Sequence, residues 1–501
     1  MSTAQSGAAG GENSAPAIST VAGTGAAGAP KGGDERAVSA QLNAPSGVVV
    51  DRAGTLYISE LHGHRVRKVT TDGKISTVAG MGAPGRGDGD GRAVSAQLNT
   101  PRGLAVDSAG DLYIADSVNH RIRKVTMADG KISTVAGTGA ATFGGDGGLA
   151  TAAHLNTPLG VAVDSAGDLY IADYGNHRVR KVTKADGKIS TVAGTVAPGL
   201  APDGTIAVTA QLKNPTAVTL DSGGNIYIAD YGNHRVRKVT KADGKISTVA
   251  GTGAATFGGD NVDAISAPLN GPLVVAVDSA DDLYIADHGN HRVRKITADK
   301  KINTVAGPDA PAELSSPHGL ALDSVDNLYI TDYAKHRVHK VASARMAGLP
   351  DSGTVVSWAN VRSRLRMAVV RESMKDGAEV QQTLTVPRDH QRWRLVVVGQ
   401  DDGEVLYRIE NIRSGKVLEV TGGQEAAGAV LAQRAYEGAE ARHQQWRLIP
   451  VGAPSDTPRV FEIANGKSGL LLRVDTNART VIKQQGAEGD ARERQWQLLP
   501  V

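Results

Sequence analysis

Gly160-Val-Ala-Val-Asp-Ser-Ala-Gly-Asp-Leu-Tyr-Ile-Ala-Asp-Tyr-Gly-Asn-His-Arg-Val-Arg-Lys-Val182, followed by Ile189-Ser-Thr-Val-Ala-Gly194, decides the fold. Its apolar residues come in short runs of strand length: Val161 and Val163, Leu169 and Ile171, Val179 and Val182. Turn residues separate the runs. Asp164-Ser-Ala-Gly167 and Tyr174-Gly-Asn176 are two turns, and Ala185-Asp-Gly187 carries the Asp-Gly step that hairpins favour. One unit therefore reads as four antiparallel strands: a (Gly-Val-Ala-Val-Asp), b (Asp-Leu-Tyr-Ile-Ala-Asp), c (His-Arg-Val-Arg-Lys-Val) and d (Lys-Ile-Ser-Thr-Val-Ala-Gly).

Working outward, the unit recurs. Its first Asp falls at Asp51, Asp107, Asp164, Asp221, Asp278 and Asp323, and strand d begins at Ile18, Ile75, Ile132, Ile189, Ile246 and Ile302. No helix-length amphipathic segment intervenes, which argues against a parallel α/β sheet. Four-stranded sheets repeated around an axis make a β-propeller. The order of the copies matters. The first d strand, Ile18 to Gly23, precedes any a strand, and the sixth a-b-c set ends near Val341 with no d after it. Six blades are expected, with the N-terminal strand closing the last one. The pattern resembles the NHL repeat over residues 18–342, and this resemblance also implies a six-bladed propeller.

After Ala342 the composition changes. Residues 343–353 read as a linker. Three segments then close on Gln391-Arg-Trp393, Gln444-Gln-Trp446 and Arg494-Gln-Trp496, each expected to place its Trp in a shared core. Residues 354–501 resemble the ricin B-type β-trefoil lectin family, whose repeats end in Gln-x-Trp; Arg494 departs from it. By that resemblance the acidic sugar-binding position falls on Ala368, Glu419 and Arg473, and the stacking position on Thr383, Arg434 and Lys483 or Gln484. Only the second repeat, with Glu419, Tyr436 and Gln444, makes a credible carbohydrate pocket, and Gln444 can equally be a structural residue. The chain is thus expected to be all-β, a six-bladed β-propeller followed by a β-trefoil.

Composition narrows the function classes. A net charge of +3 over 501 residues is too small to imply nucleic acid, and with no cysteine there is no disulfide framework. No apolar run has the length of a membrane span. Residues 1–17 read as a flexible tail without a signal-peptide pattern, so the cytoplasm is the expected compartment, with non-classical export left open.

In the propeller, chain direction puts the long d-to-a loops and the b-to-c turns on one face. Where repeats are nearly identical, the positions that differ carry information. After the Pro that opens strand a these are Ser46, Arg102, Leu159, Thr216, Leu273 and His318; in the b-to-c turn they are Leu61, Ser117, Tyr174, Tyr231, His288 and Tyr333. Arg102, Tyr174, Tyr231, His288, His318 and Tyr333 form the candidate ligand-binding surface, unless the Tyr side chains only pack across blades. The recurrent His of Asn-His-Arg reads as a turn-holding residue rather than a metal ligand, because equivalent positions on a ring diverge. The recurrent Asp116, Asp173, Asp230, Asp287 and Asp332 are expected to cap turns or pair with Arg of an adjacent unit. Strand c is basic in every blade and reads as a solvated outer strand, which disfavours the RNA-binding role of some NHL propellers. Arg86-Gly-Asp88 and Asp88-Gly-Asp90 are weak signals.

These readings converge on a binding or scaffold protein whose partner is a protein, a small ligand or a glycan. No cofactor and no metal are expected, and oligomeric state is left open. The alternatives are a channel enzyme, a lyase or lactone hydrolase as in some six-bladed relatives, and an RNA-binding propeller. For the enzyme, only His318 and Arg102 stand out in the channel, with His154 in a preceding loop.

Overall fold

The computed structural model describes residues 18–29, 35–86, 91–308, 314–323 and 326–342 of the first part of the chain. Of the second part it describes 355–360, 366–369, 374–376, 378–383, 391–401, 404–421, 431–438, 441–451, 460–468, 470–474, 482–485 and 495–500. The chain divides into two compact units, Met1–Ala342 and Ser343–Val501.

The first unit is a six-bladed propeller of antiparallel sheets. The third blade is representative: Pro158–Val163, Leu169–Asp173, Arg178–Val182 and Ile189–Gly194 pair in that order from the axis outward. The closing strand is Ile18–Ala22, which pairs with Arg337–Val341 in the register Ile18 to Val341. Three sheets differ from the four-strand expectation by a two-residue fifth strand, Glu35–Arg36, Gly91–Arg92 or Val262–Asp263, added outside strand d.

The core lies between blades, where the apolar face of each sheet meets its neighbour. Between the second and third blades, Ala105, Ile122 and Ala136 meet Val161, Ile171 and Ile189. Near the axis the backbones come close. A Cβ on Gly160 would stand 2.8 Å from Ala217 Cα and from the Thr216 carbonyl oxygen of the next blade. The recurrent His joins blades rather than merely holding its own turn. His177 sits in the left-handed region (φ 54°), and its Nδ1 accepts the backbone N–H of Asn214 at 3.2 Å. His64, His120, His234 and His336 accept equivalent bonds at 3.0–3.2 Å, the last from Ala44 across the ring closure. Burial holds His64, His120, His177 and His234 below the usual imidazole pKa, which keeps the accepting nitrogen free of a proton.

Two expectations about charge need correction. Strand c is neither outermost nor solvated, because strand d covers it, and its middle arginines Arg67, Arg123, Arg180, Arg237 and Arg294 are fully buried. The recurrent Asp does cap its turn, Asp116, Asp173, Asp230 and Asp287 each accepting from the turn Asn, but the Arg beside it belongs to its own unit and not to an adjacent one, and in the sixth blade His339 takes that place. Asp173 accepts from Asn156 N–H at 2.7 Å and Asn176 Nδ2 at 2.8 Å, and lies 3.5 Å from Arg180. A buried arginine stays charged, so a carboxylate must accompany it. Burial still lifts Asp116, Asp173 and Asp230 to about 6 and Glu60, their counterpart in the first blade, to about 7. Strand c lysines are also engaged: Lys124 reaches Asp111 at 2.8 Å, Lys181 reaches Asp168 at 2.7 Å and Lys295 reaches Asp282 at 2.8 Å. The basic strand is an internal ion-pair ladder.

The described part of the second unit contains twelve strands in one sheet, opening with Val355–Asn360 paired to Gln495–Pro500. Trp358, Trp393, Trp446 and Trp496 are fully buried. Three of them repeat one contact: Nε1–H of Trp393, Trp446 and Trp496 donates to the carbonyl of Met367, Leu418 and Leu472 at 3.0–3.1 Å. The expected Trp core and its threefold recurrence are present. Arg494, and the side chains of Thr383, Arg473, Lys483 and Gln484, lie outside the described residues, as do residues 87–90 with Asp88 and Asp90.

Candidate functional site

Each blade contributes the first residues of its inner strand to the channel. The Pro fixes the strand entry, and in five blades the residue before it is held by the neighbouring blade's His, whereas in the sixth Ser316 N–H is held by Asp332, so the next side chain is set at the rim. Ser46, Arg102, Leu159, Thr216, Leu273 and His318 all line a channel cavity of about 300 Å³. A second cavity of about 380 Å³ lies at the mouth, where Arg102, Leu159, Thr216, Leu273 and His318 meet Tyr174, Tyr231 and His288 from the b-to-c turns. The five residues common to both make the two cavities adjacent along the channel.

Five of the six propeller candidates therefore share one lining. Tyr333, the sixth, joins through its ring, which stacks on His318 at 4.4 Å between centroids and 14° between planes. His288 meets His318 edge-on at 4.9 Å, and its Nδ1 lies 3.3 Å from the Pro317 carbonyl, to which it can donate. Tyr231 also packs across blades, since a Cβ on Gly271 would stand 2.8 Å from its ring. His62 was not singled out from sequence. Its Nε2 lies 3.4 Å from the Tyr333 hydroxyl, and the signal was available: other blades carry Val118, Gly175, Gly232, Gly289 or Ala334 at that turn position. His154 holds its own loop through Thr142 Oγ1 at 2.9 Å.

The electrostatics of the mouth are one-sided. Burial drives His318 down to about 3, with His288 and Arg102 adding to the effect, so its imidazole is neutral at neutral pH. His318 Nδ1 is buried without a hydrogen-bond partner. Burial lowers the Arg102 pKa as well, partly offset by Tyr333 and Tyr174, yet a guanidinium keeps its charge. Among the described residues no Asp or Glu lines either cavity. Among the described residues no three His, Asp or Glu side chains gather as a metal site. The mouth can offer one fixed positive charge, neutral imidazoles and aromatic faces.

In the trefoil, Glu419 and Gln444 come together, with Gln444 Nε2 donating to the Glu419 carboxylate at 3.3 Å. Glu419 is 1% exposed and is held by Arg434 Nε at 2.8 Å, so the residue expected at the stacking position neutralises the acid instead. Gln444 also pins the adjoining segment, accepting Glu437 N–H at 2.9 Å and donating to the Ala435 carbonyl at 3.1 Å. Tyr436 lies on that segment with its ring against the Arg408 guanidinium at 4.8 Å. Ala368, at the acid position of the first repeat, is buried.

Comparison with known proteins agrees with this architecture. The family model described as NHL repeat matches residues 98–125, 155–182 and 314–341, and the teneurin NHL domain matches 203–297. The ricin-type beta-trefoil lectin domain-like model matches 346–438. Human teneurin-4 is 29% identical over 286 residues, 50% of this chain and 10% of that protein. Human NHL repeat-containing protein 2 is 28% identical over 292 residues, 52% of this chain and 40% of that protein. The chain thus spans less than half the length of either relative. Among solved structures, a streptogramin B lyase aligns at 15% identity with a TM-score of 0.40, covering 61% of this chain and 95% of that one. The chain carries NHL repeats on a six-bladed propeller and a ricin-type β-trefoil lectin-like domain, an architecture that fits a binding or scaffold role.

Proposed function

We propose that this protein is a non-catalytic binding protein whose propeller takes its ligand at the channel mouth. The observation that carries the reading is the convergence of positions that break the repeat. Arg102, Tyr174, Tyr231, His288 and His318 come from five different blades and line one cavity. Residues that only build blades recur; residues that differ between otherwise similar blades and meet at one concave place are fitted to something outside the repeat. A thermal-shift screen of a small-molecule panel tests this, comparing the intact chain with a Tyr174→Ala/Tyr231→Ala variant. Hits lost in the variant support the mouth. Hits that persist unchanged place the ligand elsewhere.

The trefoil's second repeat is proposed as a glycan site under one condition: a sugar hydroxyl must displace Arg434 from Glu419. Hydrogen bonding to a charged carboxylate makes that exchange feasible. A glycan array on the intact chain, repeated with Glu419→Ala/Tyr436→Ala, decides it, because binding that survives the double change excludes this pocket.

A further inference from the structure

We propose that the mouth is specific for a small molecule bearing an oxyanion, a carboxylate or a phosphate, which Arg102 binds while the rest of the molecule occupies the channel. This rests on the mouth being the ligand site and adds the chemistry of what enters it.

The argument begins with the fate of other cations. Every middle arginine of strand c has a carboxylate within reach: Arg180 has Asp173 at 3.5 Å and Asp146 at 2.5 Å, Arg237 has Asp203 at 3.1 Å, and Arg294 has Asp260 at 3.0 Å. Arg102 has no such carboxylate among the described residues, although it is half-buried and stands where other blades carry Ser, Leu, Thr or His. A desolvated guanidinium cannot shed its proton, so its burial is costly until an anion arrives. Its planar fork suits the two oxygens of a carboxylate or phosphate.

The surroundings fit the same ligand. Among the described residues no carboxylate lines either cavity, so an entering anion meets no like charge from them. Tyr174 is a lining side chain and Tyr333 backs His318, so a planar ligand body would find aromatic faces beside the charge. His318 lines the same cavity, and its Nδ1 is a buried polar atom without a hydrogen-bond partner. Cavities of about 380 and 300 Å³ in series suit a compact molecule rather than a folded partner.

Calorimetry on the full chain tests this with benzoate, phenyl phosphate and benzamide, the last keeping the shape of benzoate without its charge. Benzoate or phenyl phosphate should bind in the millimolar range or tighter, and benzamide at least about tenfold more weakly. Whichever anion is preferred identifies the oxyanion. Arg102→Gln should remove the preference. Arg102→Lys should keep it in weakened form, since charge remains but the fork is lost. Equal binding of benzoate and benzamide, or a preference that survives Arg102→Gln, overturns the anion. If that shared binding still vanishes in Tyr174→Ala, the mouth stands as a site for neutral ligands and only the anion falls. No binding of either anion by the unaltered chain also overturns it. The benzoate-to-benzamide comparison needs no substitution, so it decides the matter even where Arg102→Gln does not fold.

Discussion

Replacing Arg180 by Met should expose how strongly the propeller depends on its internal ion pairs. Arg180 and Asp173 are both completely buried, 3.5 Å apart. The guanidinium also donates to the carbonyls of His154 at 3.4 Å and Gly144 at 3.3 Å, and to Asp146 at 2.5 Å. Met fills most of the volume, so packing loss is minor, but it leaves a buried carboxylate without its cation. Breaking such a pair from one side costs about 3–5 kcal/mol. For a unit of this size that lowers the midpoint of thermal unfolding by roughly 2 °C per kcal/mol, or about 6–10 °C.

The pH dependence makes the prediction specific. Burial already lifts Asp173 from an ordinary 3.8 to about 6, and removing the nearby positive charge lifts it further. A carboxyl raised on folding contributes stability below its unfolded value and loses it as pH rises through the folded value. The deficit of Arg180→Met should therefore be smaller at pH 5 than at pH 8, as read by urea unfolding followed by tryptophan-independent circular dichroism. Adding Asp173→Leu should recover part of the loss but not all, because Asn156 N–H and Asn176 Nδ2 then lose their acceptor. A deficit below about 1 kcal/mol, the scale of an exposed pair, or one equal at both pH values would refute the reasoning.

Four further outcomes follow from the structure. Gly160→Ala should destabilise the ring by about 1–3 kcal/mol, because its Cβ would lie 2.8 Å from backbone atoms of the next blade; unchanged denaturation would contradict the close approach. His177→Ala should cost about 1–3 kcal/mol and speed hydrogen exchange at the Asn214 amide, and full retention of protection there would mean the blades are not joined by this bond. His64, His120, His177 and His234 titrate below their usual pKa, so their contribution is complete above 6.5 and lost as pH falls below it, opposite in sign to the Arg180→Met effect; urea midpoints that stay flat from pH 7 to 5 would count against it. Trp446→Phe should remove one bond to the Leu418 carbonyl and about 1 kcal/mol from the trefoil, which a near-ultraviolet melt can follow.

Blade number, strand order and ring closure were legible because each unit repeats its own turns, and a missing d strand at one end matched a surplus one at the other. The mouth was legible for a related reason: against a constant background, Arg102 or His318 is conspicuous. Burial of Arg180 was not legible. Alternation in Arg-Val-Arg-Lys-Val looks like one dry and one wet face, yet both faces of a middle strand are covered by neighbouring blades, and only Asp173, seven residues upstream, reveals why an arginine is tolerated there. The joint made by His177 was hidden because its partner, Asn214, is 37 residues away and offers only a backbone amide. In the trefoil, the family pattern marked position 434 for stacking, but an arginine next to Glu419 prefers to neutralise it.

The closing strand also sets a timetable. Ile18 and Val341 are about 320 residues apart and become partners only when the last blade exists. At roughly 5–20 residues per second, a ribosome needs about 16–65 s between making the two. Throughout that interval Ile18–Ala22 has no sheet to join, and the first blade lacks one of its two neighbours. Unpaired strand edges are where one chain can pair with another. The ring therefore cannot be completed during synthesis of its early blades; it is sealed as a late event, and neighbouring chains on one message would compete for that seal until it forms.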